Sequence, residues 1–268
     1  MSVLDRLVAS SLPFVPKPLV GYFARPYIAG ETLDDQARVV RSLNDEGFMA
    51  ATGILGEFVE RREEAESAVV DYQDALLRIE QDKLASNVHV KLTLLGLKID
   101  KEFCYQNIRR LVAFAREHSN FVRIDMEDSS CTDDTLEIFL RLRKEFDNVG
   151  AVIHAYLKRS LDDARKLAQV KANVRVCKGI YIEPPDIAFR DREQVRSSFV
   201  SLLEELLGKS GAVLRLTVKG LRELSLVGFA QALRRSEEIY RRELLPTEDV
   251  EEGVQAFLAK RKPRWSHK

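Results

Sequence analysis

Apolar, β-rich runs recur along the middle of this chain, and charged segments with helical spacing fill the gaps between them. The runs are MAATGILGE (49–57), VHVKLTLLG (88–96), FVRIDMED (121–128), VGAVIHAYL (149–157) and NVRVCKGIY (173–181). Short runs of this kind, bounded by polar residues, predict buried strands. The charged segments TLDDQARVVRSLNDEG, EFVERREEAESAVVDYQDALLRIEQDKL, TLEIFLRLRKEF and SLDDARKLAQV predict helices. Thr32 stands where the first of these needs an N-cap, and Gly47 where it needs a C-cap. Strand and helix alternating in this way predict a parallel sheet with helices outside it, as an open doubly wound sheet or a β/α barrel. No glycine-rich dinucleotide fingerprint follows any of the runs, which favours the β/α (TIM-type) barrel.

Composition narrows the field of functions. The 268 residues are 45% hydrophobic and 31% charged, enough for one large barrel domain or two small ones. Lys plus Arg and Asp plus Glu both number 42, so no global charge draws the chain to nucleic acid. The basic end AKRKPRWSHK reads as charge at a helix C-terminus, not as a nucleic-acid contact. Cys104, Cys131 and Cys177 are odd in number and far apart, which suits a reducing, cytoplasmic setting. The opening MSVLDRLVASSLPFVPKPLVGYF carries Asp5 and Arg6 early and prolines at 13, 16 and 18, and predicts an amphipathic helix and a turn, not a signal peptide. No apolar run reaches the length of about 18 residues that a membrane-spanning helix needs.

In a β/α barrel the chemistry sits where strands end. With a period of two, His89, Lys91 and Thr93 share one face; so do Arg123, Asp125 and Glu127; Val152, His154 and Tyr156; and Arg175, Cys177, Gly179 and Tyr181. A buried charge needs a partner or a ligand. The plainer expectation is a buried Lys91–Asp125 ion pair; the functional one is a polar cup at one rim, to which four strands contribute. Lys178 points to the opposite face of a regular strand, and Gly179 permits a twist that re-aims it.

The stretches YIAGETLDDQARVVRSLNDEGFMAATGILGE, VKLTLLGL, FVRIDMEDS, VGAVIHAYLKRSLDDA and VRVCKGIYIEP resemble, in order and spacing, the proline dehydrogenases, over about residues 25–210. The resemblance implies an FAD-dependent β/α-barrel enzyme that oxidises L-proline to pyrroline-5-carboxylate. It also implies a quinone-type electron acceptor, which such enzymes meet at a membrane surface. By the same resemblance Lys91 lies beside the substrate, Asp125 pairs with it and lines the proline site, and Tyr181 is a substrate-pocket aromatic. Arg175 and Lys178 are basic residues near the flavin, His154 stands at a flavin-contacting position, and Gly179 lets backbone approach the ring system.

Three departures from the family pattern accompany these matches. Histidine stands at 154 where the family has glutamine, and Ile180 where it has a small residue. After residue 210 the late strand end and the arginine pair that grips the substrate carboxylate have no counterpart; Arg241 and Arg242 in IYRRELLP come too early. The barrel is therefore expected to be incomplete, with one domain at 1–210 and a helical tail at 211–268. In the tail AVLRLTV (212–218) offers a sixth strand, and LLPTEDVEEGVQAFLAKRKPRW resembles the C-terminal helices of the crotonase family. That last segment predicts a helix capped by Thr247, with Val250, Val254, Phe257 and Leu258 as an apolar stripe. Open sheet edges need covering, by the tail or by a second copy in a homo-oligomer. Two other readings stand beside the oxidoreductase: a non-catalytic barrel acting as a binding module, and an aldolase-type barrel with Lys91 or Lys178 as a Schiff-base amine.

Overall fold

The computed structural model describes residues 28–207, Leu216 and 229–266. The chain divides into two compact units, with the boundary between Val152 and Ile153. The domain boundary expected at residue 210 and the sixth strand expected at 212–218 lie outside the described residues, save for Leu216, as does the expected N-terminal helix.

The first unit is built from βα repeats. Helix α1 (Leu33–Asp45) precedes β1 (Ala50–Thr52); α2 (Arg62–Gln81), β2 (Ser86–Val90), α3 (Lys101–Glu117), β3 (Val122–Ile124) and α4 (Thr132–Arg143) follow, and β4 (Val149–His154) carries the chain into the second unit. β1 pairs with β2, β2 with β3 and β3 with β4, all parallel, with Ala50 opposite Ser86, Val88 opposite Val122 and Val122 opposite Val149. Strand order follows sequence order, β1-β2-β3-β4-β5. The helices form for local reasons. Thr32 caps α1, its hydroxyl accepting the Asp35 N–H at 3.1 Å, and Asp100 caps α3 by accepting the Phe103 N–H at 2.6 Å. α2 buries Ala65, Ala68, Val69, Tyr72, Leu76 and Ile79, one stripe at three- and four-residue spacing. α3, not picked out from the sequence, buries Cys104, Ile108, Leu111, Val112 and Ala115 in the same manner.

Three asparagines hold the corners where helices return to strands. Asn44 Nδ2 donates to the carbonyls of Phe48 (2.8 Å) and Ala85 (3.1 Å), and its Oδ1 accepts the Ala85 N–H at 2.8 Å. Asn120 Nδ2 donates to Ser86 O (3.1 Å), and Asn148 Nδ2 to Val112 O (3.1 Å) and Asn120 O (3.0 Å). These side chains satisfy backbone groups that the short strands leave over.

In the second unit β5 (Asn173–Cys177) runs beside the continuation of β4: Ala155 N–H donates to Cys177 O (2.7 Å) and Tyr156 N–H to Lys178 O (3.0 Å). α5 (Ser160–Gln169) precedes β5 and α6 (Arg192–Leu207) follows it. Asp163, 3% exposed on α5, is held by Arg159 through bonds of 2.7 and 3.1 Å. Beyond come α7 (Phe229–Ile239), a π-helical turn (Tyr240–Leu244) and α8 (Glu248–Leu258).

Thr247 caps α8 as expected, accepting the Val250 N–H at 3.3 Å. The expected apolar stripe on α8 is corrected: Val254, Phe257 and Leu258 are exposed, and what α8 buries is Asp249 and Ala256. The reason lies in the segment after the helix. It folds back over the polar side, Arg261 pairing with Glu252 and Ser266 donating through N–H and Oγ to Asp249 Oδ1. Arg241 and Arg242 are exposed on the π-helical turn, with Arg242 3.3 Å from Glu238.

Among the described residues no helix is long and apolar enough to cross a membrane.

Candidate functional site

All five strands end earlier than the apolar runs. β2 stops at Val90 and β3 at Ile124, so Lys91, Thr93, Asp125 and Glu127 stand just past strand ends, at the rim and not within the sheet. In β2 the burial alternates: Ser86, Val88 and Val90 are buried, Asn87 and His89 half-buried. Lys91 and Asp125 continue that half-buried polar face.

The expected Lys91–Asp125 ion pair is replaced by two others. Lys91 Nζ lies 3.1 Å from Glu57 Oε1, and Asp125 Oδ2 lies 2.8 Å from His89 Nδ1. The physical reason is the loop after β1. Phe58 sits at φ +54 and its N–H donates to Thr93 Oγ1 at 3.0 Å, which turns the loop over the strand ends and brings Glu57 to the lysine. Thr93 in turn donates its hydroxyl and its N–H (3.0 Å) to Glu127, and both residues are fully buried. Burial pushes the Glu127 carboxyl up from its ordinary value, against the two Thr93 bonds. Tyr72 fastens the same region from α2: its hydroxyl donates to His89 O (3.0 Å) and accepts the Ile54 N–H (3.3 Å). Gly53 is required here, because a Cβ on it would come within 2.3 Å of His89 Cε1 and Nε2. Glu57 was not singled out from the sequence; its one signal is its place as the charged end of the first apolar run.

The second unit presents its own set. His154 closes β4 and is buried; its ring centroid lies 5.6 Å from that of Tyr156, edge-on, and 6.3 Å from that of Tyr181. Arg175 is half-buried within β5, and Lys178 is exposed one residue past its end. Gly179 has φ +104, and a Cβ there would lie 2.1 Å from Tyr156 Cδ1, so the group that approaches this backbone is the Tyr156 ring. Tyr156 packs with Leu157 and Ala188. Ile180, at the place of a small residue in the family pattern, is 86% exposed. Two cations within four residues, a histidine and two tyrosines form a donor set that suits an aromatic, anionic cofactor. Among the described residues no cluster of His, Cys, Asp or Glu gathers in a way that holds a metal ion.

Parallel strands, helices between them and polar groups massed just beyond the strand ends define the class: an α/β protein of repeated βα units. The chain belongs to the proline dehydrogenase family, whose family profile, Proline dehydrogenase, matches residues 37–186. Proline dehydrogenase 1 of Bacillus subtilis is 34% identical over 181 residues, covering 68% of this chain and 60% of that protein. The proline dehydrogenase of Deinococcus radiodurans is 31% identical over 189 residues, covering 67% of this chain and 60% of the relative. The chain thus spans about 60% of the length of the curated relatives it matches. Among solved structures, proline utilization A (PutA) from Bdellovibrio bacteriovorus, inactivated by N-propargylglycine, superposes with a TM-score of 0.63 at 24% identity, over 69% of this chain and 24% of that one. That likeness concerns the fold: the βα repeats described here follow those of the PutA structure.

Proposed function

We propose that this chain carries out the FAD-dependent oxidation of L-proline to pyrroline-5-carboxylate, with its βα units forming the opening part of a β/α barrel and a quinone-type compound taking the electrons. The observation that carries the reading is the half-buried polar face of the first unit, where Lys91, His89 and Asp125 gather past the ends of β2 and β3 in a chain of this family. A lysine ammonium there pairs with the carboxylate of an amino acid. Asp125 sets the charge beside it. His154, Arg175 and Lys178 are the groups that would hold the flavin; Arg175 and Lys178 supply positive charge toward an anionic reduced ring. The bound flavin would supply the hydride acceptor; the protein's part is to bind, orient and deprotonate. The site falls to a family member in the cytoplasm, with the acceptor met at a membrane surface.

The test is direct. Purified protein incubated with FAD and desalted is expected to keep a flavin absorption band, and L-proline under anaerobic conditions is expected to bleach it. An artificial electron acceptor then reports turnover. Protein that takes up no FAD even in excess, or retains it unbleached by proline, overturns the reading in favour of a binding module.

A further inference from the structure

The mechanism above gives no role to His89, yet the geometry singles it out. Its Nδ1 lies 2.8 Å from Asp125 Oδ2, and the residue is held at its backbone as well as at its ring. Tyr72 holds the His89 carbonyl, Gly53 leaves room for the ring edge, and Arg123 on β3 is its partner in register. A carboxylate acceptor selects the tautomer with the proton on Nδ1, leaving the lone pair on Nε2, at the ring edge that lies beside Gly53. No other hydrogen bond engages the ring among the described residues. Its side chain is 31% exposed, so the pair is reachable from solvent.

Lys91 stands two residues further on the same face, about 6.6 Å along an extended chain. A cation and a base so spaced match the two ends of an α-amino acid zwitterion.

Resting on the proline-oxidation reading, we propose that His89, oriented by Asp125, is the base that takes the proton from the substrate ammonium while Lys91 holds its carboxylate. The N–H bond breaks and an Nε2–H bond forms, giving a neutral amine and an imidazolium beside the Asp125 carboxylate. The neutral amine holds the lone pair that the C=N bond of the product needs, and a bound flavin would supply the hydride acceptor. Asp125 is the charged group bonded to the ring; Arg123 is the residue in register with His89 on β3, the Lys91–Glu57 pair stands two residues on, and the Tyr72 phenol from α2 bonds the His89 carbonyl. Asp125 and Glu57 stabilise the imidazolium; Arg123 and Lys91 oppose it.

Two readouts test this. The first is the histidine ring nitrogens by NMR, with His89 assigned by its loss in His89→Gln. Expected are a neutral form protonated at Nδ1, a tautomer balance that Asp125→Asn changes, and an Nε2 resonance that moves when L-proline is added. An Nδ1-unprotonated tautomer, or no response to proline, overturns the proposal whatever the activity. The second is the pH profile of kcat/KM. Wild type is expected to lose activity on the acid side, where a protonated base no longer accepts the substrate proton. His89→Gln is expected to lose this limb and to fall by about 10²–10⁴-fold at neutral pH, chiefly in kcat. A variant that keeps the limb and the rate overturns it. If proline moves the Nε2 resonance but never bleaches the flavin, the pair stands as an amino-acid-binding site and the oxidase reading is what has failed.

Discussion

Thr93 shows how much one hydroxyl does at this rim. It accepts from Phe58 and donates to Glu127, so a single oxygen ties the loop after β1 to the end of β3. Thr93→Val keeps the shape but strands a backbone N–H and a buried carboxylate, and each such orphan costs about 1–3 kcal/mol. We expect urea denaturation to show a loss of about 2–4 kcal/mol for Thr93→Val and about 1 kcal/mol for Thr93→Ser, which loses only a methyl. Glu127 also sets a pH dependence. Its folded pKa stands above the unfolded one, so the native state binds the proton more tightly. Its contribution to stability is complete below the unfolded value of about 4.3 and is lost as pH rises through the folded value. Glu127→Gln, which cannot ionise, is therefore expected to lose less stability than wild type as pH rises above the unfolded value of about 4.3, as measured by denaturation midpoints at a series of pH values. None of this was legible in the chain. Lys91 and Asp125 are recognisable at strand ends, but their partners are fixed by a loop turned at Phe58, a residue with no propensity for that conformation.

The element scale was legible in part, for a physical reason. Parallel strands covered by helices are buried on both faces, so β4, buried at every position, announces itself as an apolar run, whereas β2 alternates. The strand ends do not announce themselves. Leu92, Leu94, Leu95 and Leu97 are all buried in the turns after β2, so the apolar run continues where the strand has stopped. α8 misled in the other direction, because its stripe is sound as a helical pattern yet faces solvent. The asparagine corners carry no pattern of their own, since an asparagine before a strand reads as an ordinary turn residue. Asn148→Ala removes two bonds to backbone carbonyls and is expected to cost about 2 kcal/mol by thermal or chemical denaturation. Because these corners lie at the strand starts, flavin uptake and substrate affinity should be unchanged in that variant; a matching loss in either would show that the two ends of the sheet are coupled.

At the scale of the whole molecule the thiols give a simple probe of the fold. Cys104 and Cys131 are fully buried, and burial raises both pKa values, whereas Cys177 is half-buried. Reactive thiolate is thereby suppressed at two sites. A chromogenic disulfide reagent is expected to titrate one thiol in the native protein and all three in denaturant; two or three fast thiols would mean a looser core. The sheet's order has a consequence for how the chain comes into being. Each of β2, β3 and β4 pairs with the strand made just before it, Ala50 with Ser86, Val88 with Val122, Val122 with Val149. Among the described residues no strand pairing waits for a distant segment, so loop closure there stays inexpensive in entropy at every step. On a ribosome adding about 5–20 residues per second, a new βα repeat is complete every few seconds. Each one emerges onto a finished edge, which serves as its template.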